Sequence, residues 1–166
     1  MSASDNDLLL ERQLCFGLSV ASRSVIAAYK PVLAPMQLTH PQYLVMLALW
    51  EQAPRRVKDL GAALLLESAT LSTLLKRLES IGYLTRTKDA TDERALSVDL
   101  TPQGAALHDQ ALSVPGTMMA RLGLDRESAM ALHRSMMALI AAATATDDGG
   151  TAPPSATPGH PLMADN

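Results

Sequence analysis

Residues 57–100 read VKDLGAALLLESATLSTLLKRLESIGYLTRTKDATDERALSVDL, and their pattern is the most informative in the chain about its fold. Between Ser68 and Ile81, leucines at positions 71, 74, 75 and 78 have the spacing of one face of an α-helix. Ser68 suits the N-cap of this helix, and Gly82 suits the position just after its end. A shorter helix is predicted before it, over Val57 to Leu66. Two short helices in tandem, the second polar on its outer face, predict a helix-turn-helix.

The residues after the second helix predict a β-hairpin. Tyr83 to Lys88 is rich in strand-forming residues, and between Ala95 and Leu100 apolar and smaller or polar residues alternate. The largely polar segment 89–93 suits the tip, and basic residues flank it. A basic hairpin directly after a helix of this kind is typical of the wing of a winged helix-turn-helix. We therefore expect a mainly α fold with a small β-hairpin, built around a winged helix-turn-helix that binds double-stranded DNA.

In this interpretation the second helix enters the major groove, and the wing sets Arg94 into or beside the adjacent minor groove. Short hydroxyl side chains and cations are the candidates for contact with bases and phosphates. The predicted DNA-binding residues are Ser68, Thr70, Ser72, Lys76, Arg86, Lys88 and Arg94. Asp92 is expected to orient Arg94 through an ion pair rather than to contact DNA. The alternative is an ordinary amphipathic helix with a solvated polar face, followed by a hairpin.

Charge alone argues weakly for DNA, because the formal net charge is −3. Residues 54–101 hold eight Lys and Arg against seven Asp and Glu, which gives +1, whereas the rest of the chain holds six against ten, which gives −4. The placement of the basic groups therefore matters more than their total. A dimer would double them.

Composition excludes several other classes of protein. The single cysteine, Cys15, rules out an internal disulfide and a zinc site with two thiolates. The four histidines share no metal-ligand spacing with one another or with Cys15, so neither a metal nor a cofactor is expected. The chain has no run of about 18 uncharged apolar residues and no signal peptide, so we expect a cytoplasmic protein without a membrane partner.

Helices are predicted on the N-terminal side of the central stretch. A helical pattern runs from Leu8 to about Tyr29, and Pro31 and Pro35 are expected to end it. Thr39 and Gln42 then form a capping box at the start of a helix that is apolar nearly all round.

On the C-terminal side, Thr101 and Pro102 suit the start of a helix that runs towards Met119 and is kinked or broken at Pro115 and Gly116. Asp125 caps a last helix that ends at about Ala143. Residues 144–166 are rich in Thr, Ala, Gly, Pro and Asp and predict a disordered tail.

These flanking helices predict a symmetric dimer. We expect one domain over residues 1–143, in which 54–100 form the winged helix-turn-helix and 1–53 and 101–143 supply dimerisation helices. A homodimer of this kind presents two recognition helices about 34 Å apart, one turn of DNA, so the operator should be an inverted repeat.

Three segments carry a resemblance to a known family: QLCFGLSVASR with Cys15, AAYKPVLAPMQLTHPQYLVMLALWE with Tyr29, and the wing DERALSVDLTPQG. The chain resembles the MarR family of transcriptional regulators and, within it, the organic hydroperoxide sensors called OhrR. The resemblance spans about Leu8 to Ala143. It implies a dimeric repressor that leaves DNA when Cys15 is oxidised by an organic hydroperoxide.

The resemblance also implies how Cys15 is activated. In relatives, tyrosine hydroxyls from the partner subunit favour the thiolate, and Tyr29 matches one of these positions. Relatives commonly carry tyrosine where this chain has Ser19 and His40, and Tyr43 is the nearest further phenol in sequence. His40 either replaces a phenol as a donor, with an electrostatic effect if it is protonated, or is only a helix-start residue. Without a second cysteine, oxidised Cys15 would be capped by a low-molecular-weight thiol.

Two other functions compete with this prediction. A MarR-type repressor can instead be released by a small aromatic or phenolic ligand held between the dimer core and the DNA-binding lobe. A thiol enzyme such as a peroxidase, using Cys15 with His40, is the other. The enzyme is disfavoured because the sequence builds no oxyanion site. For Cys15 itself, the plain alternative is a small buried hydrophobic residue.

Overall fold

The computed structural model describes residues 8–89, 91–92 and 94–147. The chain divides into two compact units, one that ends at Leu124 and one that begins at Asp125. In chain order, the helices are α1 Leu14–Leu33, α2 His40–Glu51, α3 Val57–Leu64, α4 Ser68–Ser80, α5 Pro102–Ala111, α6 Val114–Leu122 and α7 Arg126–Asp147, and the strands are β1 Arg55–Arg56, β2 Leu84–Lys88 and β3 Leu96–Leu100. Short 3₁₀ turns cover Leu10–Arg12 and Ala34–Met36.

The helix-turn-helix is confirmed, with α3 and α4 as its two helices. Its core consists of apolar side chains that are each at most 1% exposed: Leu60, Leu71, Leu75, Leu78, Leu84 and Val98. Leu74 lies at the edge of this core. The helical spacing of the leucines thus has a direct cause, since it places one face of α4 against α3 and the sheet.

Both ends of α4 follow from local chemistry, but the predicted N-cap was wrong by one residue. The carbonyl of Glu67 already accepts the N–H of Leu71 at 3.0 Å, so Glu67 is the N-cap and Ser68 is the first helical residue. At the other end, Gly82 has a positive φ of 84°. Its N–H and that of Tyr83 donate to the carbonyls of Glu79 and Leu78, each at 3.0 Å. This is the two-bond closure that glycine favours at the end of a helix.

The wing is part of a three-stranded antiparallel sheet in the order β1-β3-β2. The predicted hairpin is confirmed, with Leu84 opposite Leu100 and Lys88 opposite Leu96. The sequence prediction missed β1, which pairs Arg55 with Val98. A strand of two charged residues has no alternating pattern to detect.

The N-terminal helix begins later and ends later than predicted. A 3₁₀ turn precedes it, and α1 itself starts at Leu14 and continues through Pro31 to Leu33. Proline fits helical φ and removes only one N–H donor, so a helix can pass it when later residues are well packed. Leu33 is fully buried and provides that packing.

The capping predictions hold at three other helices. Gln42 accepts the N–H of Thr39 at 2.8 Å in the capping box of α2. The Thr101 hydroxyl accepts the N–H of Gly104 at 3.0 Å at the start of α5. A break does separate α5 from α6, but it falls at residues 112–113, before the predicted Pro115 and Gly116, which lie in the first turn of α6. In the second unit, Asp125 accepts the N–H of Ser128 at 2.7 Å.

The last helix runs four residues past its predicted end. Residues 144–147 are helical rather than part of the tail, and the Thr144 hydroxyl donates to the Ile140 carbonyl at 3.0 Å. The glycines that would stop the helix come only at positions 149 and 150. The remainder of the predicted tail, 148–166, lies outside the described residues. In the part of the chain that is described, no helix is long and apolar enough to cross a membrane.

Candidate functional site

The outer face of α4 carries the short hydroxyl side chains predicted from the sequence. Ser68, Thr70 and Lys76 are exposed, and Ser72 is half-buried. The buried leucines occupy the opposite face, so these side chains are held outward by the packing of the helix. Short side chains at the start of a helix allow its backbone to come close to base edges, and a lysine further along suits a phosphate.

A groove of about 560 Å³ lies between α3, the start of α4 and the wing. Its lining joins Ser68 at the start of α4 to Arg94 in the wing, so these two predicted residues belong to one surface. Lys58 and Arg56 also line it, and neither was predicted as a site residue. Their position at the start of α3 was the signal available in the sequence.

The wing tip is tied to β1 by an ion pair. The Arg56 guanidinium donates from Nε and Nη2 to the two carboxylate oxygens of Asp89, each at 3.0 Å, and from Nη2 to the Thr91 hydroxyl at 2.6 Å. The hydrogen bonds from Arg56 and Thr91 hold the pKa of Asp89 well below its usual range. Arg56 and Asp89 are 33 residues apart, so no local pattern could have predicted this pair.

The predicted ion pair between Asp92 and Arg94 is wrong. The Asp92 carboxylate instead accepts the backbone N–H of Arg94 at 3.0 Å. A short acidic side chain reaches the backbone two residues later more readily than a mobile guanidinium. Among the described residues, the Arg94 side chain has no hydrogen-bond or ion-pair partner, and it is exposed.

The other two wing cations differ from each other. Arg86 is half-buried, and its Nε donates at 3.0 Å to Glu79 at the end of α4, with a second bond from Nη2 to the same oxygen. This bonding lowers the pKa of the Glu79 carboxyl. Lys88 is exposed near the tip. Arg86 thus joins the wing to α4, whereas Lys88 remains available to solvent.

Cys15 lies in the first turn of α1 and is exposed in the single chain. The resemblance predicted that it lies near Tyr29 of the other subunit. Both residues lie on the same continuous helix, 14 residues apart, which is about 21 Å along the axis. No rotamer can bring the thiol to the phenol within one chain. A contact between Cys15 and Tyr29 therefore requires a second copy.

The other three predicted sensor residues are close together. The rings of Tyr29 and His40 have centroids 5.0 Å apart, and those of Tyr29 and Tyr43 are 6.1 Å apart. Burial raises the pKa of Tyr29 and, with the charge of Tyr29, that of Tyr43. Burial lowers the pKa of His40. At neutral pH the cluster therefore offers two protonated phenols and a neutral imidazole.

Trp50 connects this cluster to α5. Its ring lies 6.3 Å from that of Tyr43, and its indole N–H donates to the Gly104 carbonyl at 3.0 Å. A Cβ at Gly104 would lie 1.9 Å from the Tyr83 carbonyl oxygen, so only glycine permits this approach. The Tyr83 hydroxyl in turn donates to the Met36 carbonyl at 3.0 Å. Tyr83, which follows α4, is thereby held against α5 and against the 3₁₀ turn Ala34–Met36.

The terminal helices leave apolar side chains uncovered in one chain. In α1, Leu14 is 66% exposed, and Phe16 and Ile26 are also exposed. In the second unit, α7 exposes a series of large apolar residues: Met130, Leu132, Met136, Met137 and Ile140. Faces of this kind on a helix are typical of an interface. No cluster of potential metal ligands occurs in the described part of the chain.

Comparisons with known proteins agree with this architecture. The family model described as MarR family matches residues 38–96. The chain is 43% identical over 130 residues to the organic hydroperoxide resistance transcriptional regulator of Bacillus subtilis (strain 168), a match that covers 78% of this chain and 86% of that protein.

Two solved structures of DNA complexes have the same fold. Reduced AbfR bound to DNA matches with a TM-score of 0.68 and 29% identity, over 82% of this chain and 96% of that one. AbfR is a protein of Staphylococcus epidermidis. The transcriptional repressor CouR bound to a 23-mer DNA duplex matches with a TM-score of 0.72 and 30% identity, over 81% and 96%.

Proposed function

The chain belongs to the MarR family of transcriptional regulators, and we propose that it is a homodimeric repressor that leaves its operator when an organic hydroperoxide oxidises Cys15. The observation that carries the sensor part is the placement of Cys15 and Tyr29 at opposite ends of α1. Two antiparallel copies of that helix bring the thiol of one beside the phenol of the other.

Support for DNA binding comes from exposed side chains on α4 and in the wing. The groove beside α4 joins Ser68 at the start of this helix to Arg94 in the wing, and Thr70 and Lys76 are exposed on α4. The contacts that we propose are those of Ser68, Thr70, Ser72, Lys76, Lys88 and Arg94, with Arg86 acting through its pair with Glu79. AbfR, whose fold is similar to that of this chain, was solved on DNA in its reduced form.

Support for the homodimer comes from the uncovered faces of α1 and α7. Their exposed Leu, Ile, Phe and Met side chains would be unfavourable in water, and a second copy offers the same faces in return. A two-fold dimer doubles the DNA-binding surface. It also suits an inverted-repeat operator, because each recognition helix then reads one half-site.

The proposed chemistry begins with the Cys15 thiolate. It attacks one peroxide oxygen, the O–O bond breaks, the sulfur becomes a sulfenic acid, and the organic part leaves as an alcohol after protonation. A low-molecular-weight thiol then condenses with the sulfenic acid to give a mixed disulfide and water. With one cysteine in the chain, the second thiol must come from outside the subunit.

Hydrogen-bond donors favour the thiolate in this scheme. The Tyr29 hydroxyl of the other copy would donate a hydrogen bond to the sulfur. Within each chain, the Tyr43 ring lies 6.1 Å from the Tyr29 ring. Because burial lowers the pKa of His40, its role at neutral pH is that of a neutral ring N–H donor or a packing group rather than of a cation. If His40 replaces a phenol as a hydrogen-bond donor, it therefore does so as an uncharged ring.

Release follows if the oxidised sulfur no longer fits the interface. A bulkier and more polar sulfur shifts the helices of the two copies and changes the spacing of the recognition helices. A difference of about 3 kcal/mol between the two states weakens DNA binding about a hundredfold.

The decisive experiment compares wild type with Cys15→Ser on a duplex selected from a random pool by the reduced wild-type protein. We expect both to bind it equally in reductant, and only wild type to be released by cumene hydroperoxide. Normal release of Cys15→Ser would refute the sensor. Release by phenolic acids, or sustained peroxide consumption with added thiol, would instead favour the ligand-released repressor or the thiol enzyme.

A further inference from the structure

We propose that Arg56 is a positioning residue for DNA binding, whose ion pair with Asp89 sets the wing turn that presents Arg94. The proposal rests on the proposed DNA-binding function and adds a residue outside the recognition helix and the wing. Arg56 lies in β1, on the far side of β3 from β2, and pairs with Ser97 in the sheet. From there its side chain reaches the wing tip.

The first step is the link between Arg56 and Asp89. Two parallel N–H···O bonds at 3.0 Å join the guanidinium to the carboxylate. A bidentate pair fixes both distance and orientation, which a single contact does not. The Asp89 side chain is only 13% exposed, whereas that of Arg56 is 42% exposed. Solvent therefore competes little for the carboxylate.

Asp89 in turn holds the backbone of the wing turn. Besides the guanidinium, its Oδ1 accepts the Thr91 N–H at 2.9 Å, the Thr91 hydroxyl at 2.7 Å and the Asp92 N–H at 3.1 Å. One carboxylate oxygen thus sets the backbone at two successive described positions. Its orientation, which Arg56 controls, decides whether these bonds can form together.

The third step reaches Arg94. The Asp92 carboxylate accepts the Arg94 N–H at 3.0 Å, and the Asp92 carbonyl accepts the Ala95 N–H at 2.9 Å. The Asp89 N–H donates to the Ala95 carbonyl at 2.9 Å and closes the turn. The N–H groups of Arg94 and Ala95 are held by this chain of bonds, while the Arg94 side chain stays unpartnered among the described residues.

The arrangement argues against a direct phosphate contact as the main role of Arg56. Two of its guanidinium nitrogens are engaged by Asp89 and Thr91, and the carboxylate balances its charge. Within the described part of the chain, no such partner engages the Arg94 guanidinium. A residue that acts through another should lose its effect when the other is removed, and this distinguishes positioning from contact.

The test is a double-mutant cycle on the selected duplex. Arg94→Ala should weaken binding about tenfold or more, the size expected for a groove contact. Arg56→Gln should cause most of that loss alone, and less than about twofold further loss in the Arg94→Ala background. Arg56→Lys should resemble Arg56→Gln, since an ammonium cannot form the bidentate pair.

The matched control is Arg55→Gln, which removes an equal charge from the same strand. The Arg55 side chain donates to the Ala48 carbonyl at 3.2 Å and makes no hydrogen bond or ion pair to a described wing residue, so its substitution should preserve affinity within about twofold. Losses from Arg56→Gln and Arg94→Ala that multiply, or an Arg56→Lys variant that binds like wild type, would overturn the proposal.

Amide hydrogen exchange of the free protein gives an answer independent of DNA. Arg56→Gln should raise the exchange of the Thr91, Asp92 and Arg94 amides, and Arg55→Gln should not. Unchanged exchange in Arg56→Gln would overturn the proposal even if the cycle could not be completed. If wild type bound no duplex, the DNA-binding function would fail, while the exchange data would still decide whether Arg56 orders the turn.

Discussion

The winged helix-turn-helix buries most of its large apolar side chains within one chain, whereas the terminal helices leave many of theirs exposed. In the first, Leu60, Leu71, Leu75, Leu78, Leu84 and Val98 are each at most 1% exposed within one chain, and two ion pairs join the wing to β1 and to α4. In the second, α1 buries only Leu33 fully along 20 residues, and α7 exposes apolar residues along its length.

This difference separates the proposed DNA-binding surface from the proposed peroxide-sensing site. The surface that we assign to DNA is complete in one chain, because its core and its hydrogen bonds are internal. The site that we assign to the peroxide is not, because Cys15 and Tyr29 are about 21 Å apart on one helix. A signal at a site that exists only between two copies can change their spacing without unfolding the DNA-binding part.

The largest effect is expected in the DNA-binding core. Leu75→Ala removes a side chain that is 1% exposed and should lower the free energy of unfolding by about 2–5 kcal/mol. Urea unfolding at a fixed protein concentration measures it. The matched control is Leu65→Ala, since Leu65 is 71% exposed, and it should cost less than about 0.5 kcal/mol. Equal losses would contradict a core that is internal to one chain.

A smaller effect, of a different kind, is expected in the terminal helices. Leu132 is 49% exposed in one chain, and Leu132→Ala should weaken dimerisation by about 1–2 kcal/mol, from the apolar area that the partner would cover. Sedimentation equilibrium measures the dissociation constant, with Leu65→Ala again as control. Unchanged dimerisation would remove α7 from the proposed interface.

The two cations near α4 should differ in their contribution to DNA binding. Lys76→Ala should reduce the magnitude of the salt slope by about 0.9 for each phosphate that the lysine no longer neutralises, once per subunit. Arg86→Ala should reduce it less, because Glu79 already neutralises the Arg86 guanidinium. Affinity measured across salt concentrations gives both slopes. A larger change for Arg86 would show that its pair with Glu79 opens on DNA.

The smallest effect is the pH dependence of the wing. Because Arg56 holds the pKa of Asp89 well below its unfolded value of about 3.9, the pair stabilises the fold above about pH 4. That stabilisation is lost as the pH falls further. The melting temperature of wild type should therefore drop more between pH 5 and pH 3 than that of Asp89→Asn. Parallel curves would mean that the pair contributes nothing to stability.

The sequence predicted the features that arise from local chemistry. The leucines of α4, Gly82 after its end and the capping box of α2 are each encoded within a few residues. The pair Arg56–Asp89 was missed because the sheet brings together residues 33 positions apart. The pair Arg86–Glu79 was missed because it depends on how β2 folds back beside the end of α4. The predicted end of the first helix at Pro31 was wrong, because the burial of Leu33 outweighs the one hydrogen bond that proline removes. The exposure of Cys15 in a single chain also needed coordinates, since its helical pattern fits a buried position equally well.

The central claim is that Cys15 of one copy is activated by Tyr29 of the other, and subunit mixing tests it directly. Chains with Cys15→Ser, combined with differently tagged chains with Tyr29→Phe, give a heterodimer with one intact pair only if the pair forms between copies. Loss of one hydrogen bond to a thiolate should slow oxidation by cumene hydroperoxide about tenfold or more in the Tyr29→Phe homodimer. The heterodimer should recover the wild-type rate per thiol. A heterodimer as slow as the Tyr29→Phe homodimer would contradict activation of Cys15 by Tyr29 of the other copy.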